Sequence, residues 1–510
     1  MRTGGKLAGC ATLALALSLG AGAAEWNFFE PELAPAPKSA RWETNVCVRL
    51  DGSLKVSLEV REGTDAAAKW WAAHLKGAFG VTPAVAADRP SGGARLEAEG
   101  YRMTARPGEL RVRAADLAGA RHAFHTLRQI AIADRGGETA HGWICPGFEI
   151  EDAPLLAFRG VHLCWFPEQR VAQIERAIRL AAYYKFNFVV LESWGVWRSE
   201  RNPWFGWPDG KMTPEVVRRL VQIAADEGVT LVPQLNAFGH ASLSRVRTGN
   251  HAALDFGPER APLFEPYGGW NWCLSNPEAR RTIKDLALEL HDLFGRPPYF
   301  HIGCDEACPP TCPKCRAADW DGLFASLVKE LAEAFAERGA SVMMWHDMLL
   351  RRGDARFGGF YCNGGETADA LLDALPRSAV VCDWYYGPAR EDGRYSTLDH
   401  FQSKGFRTVT CPANEPTGIA AQGRYACAHG LHGLLVTTWA GYFGRNVPQT
   451  MLNAAPAAWR GTAYPGPKLH QDMTSPCNEH WRQVGWDMGV KERRDTGFFD
   501  EQFPSTTVTW

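Results

Sequence analysis

Beyond Leu19 the sequence has no uninterrupted apolar stretch of the roughly 18 residues that a membrane-crossing helix needs. A chain that threads a bilayer repeatedly is thereby excluded, and the mature protein is expected to be soluble. Basic runs are missing too. No cluster of five or more Lys and Arg occurs, and 55 basic against 57 acidic residues leave a formal net charge of -2. Nucleic acid is therefore not an expected partner, and a neutral or small-molecule substrate fits better. Internal repeats and low-complexity linkers are also lacking, which removes solenoids and flexible arrays. What the chain does have is length and tryptophan. Its 510 residues exceed one ordinary core and suggest two domains. Its 20 Trp supply flat apolar faces that stack on sugar rings as readily as they fill cores.

The first residues read as an export leader. Arg2 and Lys6 are its positive part, 7–19 its apolar part and 21–24 its small-residue cleavage site, so residues 1–24 are expected to be removed before Ala24 or Glu25. That places the product in the periplasm or outside the cell. Residues 25–155 read as a small α/β domain. Strands are expected at 46–50 and 54–60 around a turn at Asp51-Gly52, then a helix over 66–79 stopped by Gly80. Strands at 100–104 and 109–114 and a helix over 116–130 complete it.

From 156 to 462 strand and helix signals alternate eight times. The strands fall at 158–166, 186–193, 230–238, 299–304, 341–347, 380–386, 407–413 and 433–439. Thr213-Pro214-Glu215 and Asn276-Pro277-Glu278 open two of the intervening helices, and Gly228 closes the first of these. Eight such units imply a (β/α)8 TIM barrel, with a doubly wound open sheet as the runner-up. A barrel builds its site from strand carboxyl ends. Those ends offer Cys164, Trp165, Glu192, Trp194, Asn236, His240, Asp305, Glu306, Trp345, Asp347, Trp384, Tyr385, Tyr386, Asn414 and Trp439. Residues 463–510 form a C-terminal extension without a sustained period, and no activity is assigned to it.

The stretch His301-Ile302-Gly303-Cys304-Asp305-Glu306 carries the chemistry: an apolar strand that breaks into two adjacent carboxylates. Such neighbours tend to hold one proton between them, the division of labour that glycosidic cleavage needs. The hexapeptide resembles the His-x-Gly-Gly-Asp-Glu motif of glycoside hydrolase family 20, the β-N-acetylhexosaminidases, with Cys304 in place of the second Gly. Gly100-Tyr101-Arg102-Met103 and Thr126-Leu127-Arg128-Gln129 resemble the small domain of that family. Phe158-Arg159-Gly160, Gly239-His240, Trp345 and Trp439 resemble positions of its barrel, and the hexosaminidase D branch looks nearest.

The resemblance implies an exo-acting enzyme that removes β-linked GlcNAc or GalNAc with retention, through an oxazoline formed by the sugar's own acetamido group. Glu306 would be the acid and base, and Asp305 would orient the acetamide. Tyr385 or Tyr386 would hold the acetamide oxygen, and Trp345, Trp384 and Trp439 would wall the sugar. Glu192 or Asp347 would bind its hydroxyls, and His240 is a further candidate at the substrate site, either orienting the acids or packing as a core imidazole. No cofactor or metal is implied. The sequence also departs from the family pattern. Pro167 and Cys164 stand where a sugar-gripping Arg and Asp are common, the acid of strand three is replaced by Asn236, and Trp439 is followed by Ala440-Gly441-Tyr442 without a carboxylate. A barrel that binds amino sugars with little hydrolysis is the alternative.

Fourteen cysteines become thirteen once the leader is removed. Cys308-x-x-x-Cys312-x-x-Cys315 has the close spacing of a zinc knuckle, but only three ligands are local. Export ranks disulfide or free thiol ahead of zinc there.

Overall fold

The computed structural model describes residues 26–465 apart from 62, 89–94, 135–141, 167–168, 207–209, 242–257, 266–268 and 440–445. The leader and most of the C-terminal extension lie outside the described residues. The chain divides into two compact units between Pro154 and Leu155.

In the first unit, strands β1 (Ser39–Leu50), β2 (Lys55–Val60), β3 (Ala84–Asp88), β4 (Tyr101–Arg106), β5 (Glu109–Ala114) and β7 (Trp143–Asp152) form a mixed sheet in the order β1-β7-β4-β5-β2-β3. The short β6 (Ile132–Ala133) pairs with β7. The two strands flanking Asp51-Gly52 exist, but they do not pair with each other. β1 runs antiparallel to β7, while β2 lies parallel between β5 and β3. Pro146 and Gly147 disguise β7 in the sequence, because both read as strand breakers. The structure tolerates them at a register shift between Glu43 and Cys47 of β1, where Gly147 faces Glu43 so closely that a Cβ would lie 3.1 Å from Glu43 Cβ. Helices Thr64–Phe79 and Leu117–Ile130 bury Trp71, Leu75, Phe79, Phe124 and Leu127 in one core with the sheet. Asp116 caps the second helix by accepting the Gly119 N–H.

In the second unit, β8 (Phe158–Trp165), β9 (Phe188–Ser193), β10 (Thr230–Gln234), β11 (Tyr299–His301), β12 (Ser341–Trp345), β13 (Val380–Trp384), β14 (Arg407–Cys411) and β15 (Gly433–Thr438) close into a parallel barrel. Pairing of β15 with β8, from Gly433 opposite Phe158 to Thr438 opposite Leu163, shuts the ring and excludes the open sheet. The expected helix signals hold. Thr213 and Asn276 accept backbone N–H groups at helix starts, Pro214 and Pro277 follow, and Gly228 ends its helix with φ of 82°. No described helix is long and apolar enough to cross a membrane.

Alternate residues point inward, as a pleated strand requires. Phe158, Val190, Val232, Met343, Val380, Val409 and Leu435 fill the interior. Further along the strands, the same parity delivers His162, Glu192, Gln234, His301 and Trp345, all buried. The ladders stop short of several expected ends: β10 at Gln234 instead of 238, β11 at His301 instead of 304, and β13 at Trp384 instead of 386. In β11 the hydrogen bonds to neighbours continue through Ile302 and Gly303, but φ of 62° at Gly303 and 75° at Cys304 turns the chain out of the strand.

Candidate active site

The turn after β11 aims two acids in different directions. Asp305 is buried, whereas the Glu306 side chain is 44% exposed. Both meet one imidazole: His240 Nε2 lies 3.3 Å from Asp305 Oδ2 and 3.4 Å from Glu306 Oε2. Asp305 Oδ1 is buried with no hydrogen-bond partner among the described residues. His240, Cys304 and Glu306 all have positive φ, at 55°, 75° and 49°, although none is glycine. Each such residue costs on the order of 1–3 kcal/mol, so the surrounding contacts must hold the turn in place. Gly303 is required for one of those contacts. A Cβ there would sit 1.9 Å from Asn236 Oδ1.

Asp347, just after β12, supports the turn from below. Its Oδ2 accepts the Glu306 N–H at 2.9 Å and the Asn363 side-chain N–H at 2.9 Å. Full burial, reinforced by the Asp305 carboxylate, pushes Asp347 up to about 7. From the side, Trp270 Nε1 donates to the Glu306 carbonyl at 2.8 Å, and its ring lies 4.2 Å from that of His240.

A buried polar chain underlies the acids. Glu192 is gripped by His162 Nε2 at 2.9 Å and by Asn236 Nδ2 at 2.9 Å, and the Cys164 thiol donates to it at 3.7 Å. Gln234 Nε2 in turn donates to Asn236 Oδ1 at 3.2 Å. Aromatic rings stand beside this chain. Trp439 lies 4.4 Å from His162 and 5.4 Å from Trp345, and Trp384 stacks on Tyr386 at 5.1 Å and lies tilted against Tyr361 at 4.1 Å. Trp439 Nε1 donates to the Tyr386 hydroxyl. Burial pushes that hydroxyl well above the usual phenol range, so it stays protonated.

Two family models match: "Glycosyl hydrolase family 20, domain 2" over residues 30–153 and "Glycosyl hydrolase family 20, catalytic domain" over residues 169–414. The chain belongs to glycoside hydrolase family 20. It is similar to a beta-hexosaminidase of Porphyromonas gingivalis, 26% identical over 293 residues that make up 50% of this chain and 36% of that one. A beta-N-acetylhexosaminidase of Cellulomonas fimi is 26% identical over 273 residues, 49% of this chain and 50% of the relative. The matches thus span half or less of these relatives' lengths. In three dimensions it resembles a Flavobacterium johnsoniae chitobiase, with TM-score 0.64 and 18% identity over 91% of this chain and 74% of the other. A beta-N-acetylhexosaminidase from Bacteroides fragilis superposes with TM-score 0.63 and 20% identity, covering 91% and 98%. These structural likenesses concern the fold.

Of the residues singled out in the sequence of this family 20 chain, Asp305, Glu306, His240 and Asp347 form one cluster, and Glu192, Asn236 and Cys164 another directly joined by hydrogen bonds. Trp384, Tyr386 and Trp439 share a wall. Three further positions have surroundings of their own. Trp345 is fully buried among His162, His301 and Trp439, because its strand position points into the packed barrel interior. Asp347 is likewise fully buried; its Oδ2 engages the Glu306 backbone, while its Oδ1 has no hydrogen-bond partner among the described residues. Tyr385 packs with Phe360 and Tyr395, opposite in pleat to Tyr386. Pro167 and 440–442 lie outside the described residues. The sequence reading missed His162, Trp270, Tyr361 and Asn363. His162 was detectable as a polar residue on the inward parity of β8; the other three sit in loops without a period.

Proposed function

We propose that this family 20 chain is an exported β-N-acetylhexosaminidase, cleaving terminal β-linked GlcNAc or GalNAc with retention by a substrate-assisted route. One observation carries the reading: adjacent acids share His240, yet one is exposed and the other is buried with a spare oxygen. Glu306, reaching solvent, donates a proton to the leaving oxygen as the acetamido oxygen attacks the anomeric carbon, and no carboxylate nucleophile is needed. Asp305 Oδ1 accepts the acetamide N–H and stabilises the positive charge of the oxazoline. The Tyr386 hydroxyl, already accepting from Trp439, keeps its own proton to donate to the acetamide oxygen. Water then opens the oxazoline, with Glu306 as base. Glu192, held by His162 and Asn236, and Asp347, whose Oδ1 has no hydrogen-bond partner among the described residues, are the acids left to meet sugar hydroxyls.

The test is p-nitrophenol release from β-GlcNAc and β-GalNAc substrates by wild type and Glu306→Gln, with and without a thiazoline that mimics the oxazoline. The variant is expected to lose about 10²–10⁴-fold in kcat, and the thiazoline to inhibit wild type. A folded wild type that binds the thiazoline but turns over neither sugar would favour the sugar-binding barrel instead. Export rests on the leader at 1–24. Amino-terminal sequencing of the mature protein should begin at Ala24 or Glu25, and retention of Met1 would sink that part.

A further inference from the structure

Three cysteines from two separate stretches meet beyond the Glu306 turn, and the proposed mechanism uses none of them. Cys312 caps the short helix Pro313–Ala317, which contains Cys315, while Cys273 follows an antiparallel bridge between Phe264 and Trp272. Cys273 Sγ lies 3.7 Å from Cys312 Sγ and 3.6 Å from Cys315 Sγ. A Glu265 carboxylate oxygen joins them, with all four candidate ligand atoms within 4.8 Å of one another. Cys308, the first cysteine of the sequence cluster, is exposed and lies outside this group.

Sulfur spacing separates two chemistries. A disulfide needs sulfurs at about 2.05 Å, whereas thiolates at about 2.3 Å from a tetrahedral zinc stand about 3.8 Å apart along the edges. The two observed separations, 3.6 and 3.7 Å, match the zinc geometry. The backbone agrees with it. Cys312-Pro313-Lys314-Cys315 has knuckle spacing, and the Cys315 N–H points at Cys312 Sγ from 3.2 Å, where it would stabilise a thiolate. Glu265 is also held as a ligand would be. Its Oε2 accepts from the N–H groups of Thr311 at 2.9 Å and Cys312 at 2.7 Å. Its Oε1 is buried with no hydrogen-bond partner among the described residues, an arrangement that otherwise calls for explanation.

We propose that Cys273, Cys312, Cys315 and Glu265 form a closed structural zinc site. Three thiolates and one carboxylate fill a tetrahedron and leave no open position for catalysis, and soft sulfur ligands select zinc over calcium or magnesium. Binding releases the three thiol protons to solvent as the sulfurs take the metal. The ion ties the stretch from Leu263 to Cys273, whose Trp270 holds the Glu306 carbonyl, to the stretch that follows Glu306. The spacing in the sequence could not reveal this, because Cys273 and Glu265 are about 40 residues away from the knuckle.

Elemental analysis of the purified full chain, combined with mass spectrometry under non-reducing conditions, tests the site. Close to one equivalent of zinc per chain is expected, lost in Cys315→Ser and kept in Cys308→Ser. Because Cys315→Ser could simply misfold, wild type is also stripped with a chelator and refilled. Removal should lower Tm and added Zn2+ should restore it. A disulfide joining Cys273 to Cys312 or Cys315 in the purified protein would overturn the proposal. So would a reduced chain that takes up no zinc.

Discussion

Asp383, on β13 and 3.3 Å from the neutral His346 Nε2, and Asp347 are carboxyls that burial pushes up to about 7 each. An unfolded Asp titrates near about 3.9. Between about pH 4 and about pH 7 the folded chain therefore keeps protons that the unfolded chain has released, so these groups' stabilisation is complete at the low end and is lost as pH rises. Buried His301 and His346 are held neutral, His346 down to about 3, and act in the opposite sense below about pH 6.5. The carboxyl contribution is thus read as a difference. Thermal unfolding of wild type and Asp383→Asn from pH 5 to 8 should show that the variant loses less stability on going alkaline, by on the order of a few kcal/mol. Parallel curves would refute the assignment. A second prediction concerns Gly303. In Gly303→Ala the new Cβ collides with Asn236 Oδ1, and a backbone with φ of 62° disfavours any side chain. Unfolding free energy should drop by about 1–3 kcal/mol and kcat/KM should fall with it, because Asn236 can no longer hold Glu192. Unchanged kinetics would show that the Asn236–Glu192 bond is dispensable.

At the scale of elements, the site depends on segments that are neither strand nor helix. Residues 263–265 and 271–273 pair through the Phe264–Trp272 bridge, with the Cys273 N–H donating to the Leu263 carbonyl. Three side chains, at 270–272, then grip the neighbouring loops: Trp270 holds the Glu306 carbonyl, Asn271 exchanges two hydrogen bonds with the backbone of Cys308, and Trp272 Nε1 donates to the Asn236 carbonyl at 3.1 Å. Trp270→Phe keeps the ring against His240 but deletes the donor. A neutral hydrogen bond contributes about 0.5–1.5 kcal/mol net, so kcat/KM for the p-nitrophenyl sugar should drop about 2- to 10-fold. Tm should barely move. A large loss of Tm with unaltered kinetics would mean that Trp270 serves the fold and not the Glu306 turn.

Over the whole molecule, closure of the barrel decides where chemistry can occur. Eight parallel strands leave no edge, their interior is filled by Phe158, Val190, Val232, Met343, Val380, Val409 and Leu435, and inward-facing polar groups such as Glu192, Gln234 and His301 gather at the carboxyl ends of the ladders. His301 marks the limit in β11: its Nδ1 accepts the Gly303 N–H at 3.1 Å, while its Nε2 is buried and has no partner among the described residues. The acids follow within five residues. The architecture thus places Asp305, Glu306 and Asp347 together from two neighbouring strands, and fixes their unequal exposure by depth along the barrel axis.

Local pattern alone determined the eight strands, their helices and caps, and the Asp305–Glu306 pair, because strand and helix periods and capping chemistry are properties of short windows. It also gave the small α/β unit apart from β3, β6 and β7; in β7, Pro146 and Gly147 masked a strand that only a bulged partner can accommodate. Tertiary structure decided the rest. Whether Tyr385 or Tyr386 faces Trp439 depends on pleat phase at the end of β13, where the period is about to break. Whether Trp345 and Asp347 meet a ligand or the backbone depends on depth in a closed ring. Cys273 meets Cys312 and Cys315, and Trp270 meets Glu306, only because β10 pairs directly with β11 and brings the loops after them side by side; pairing across that distance leaves no period for a sequence to display.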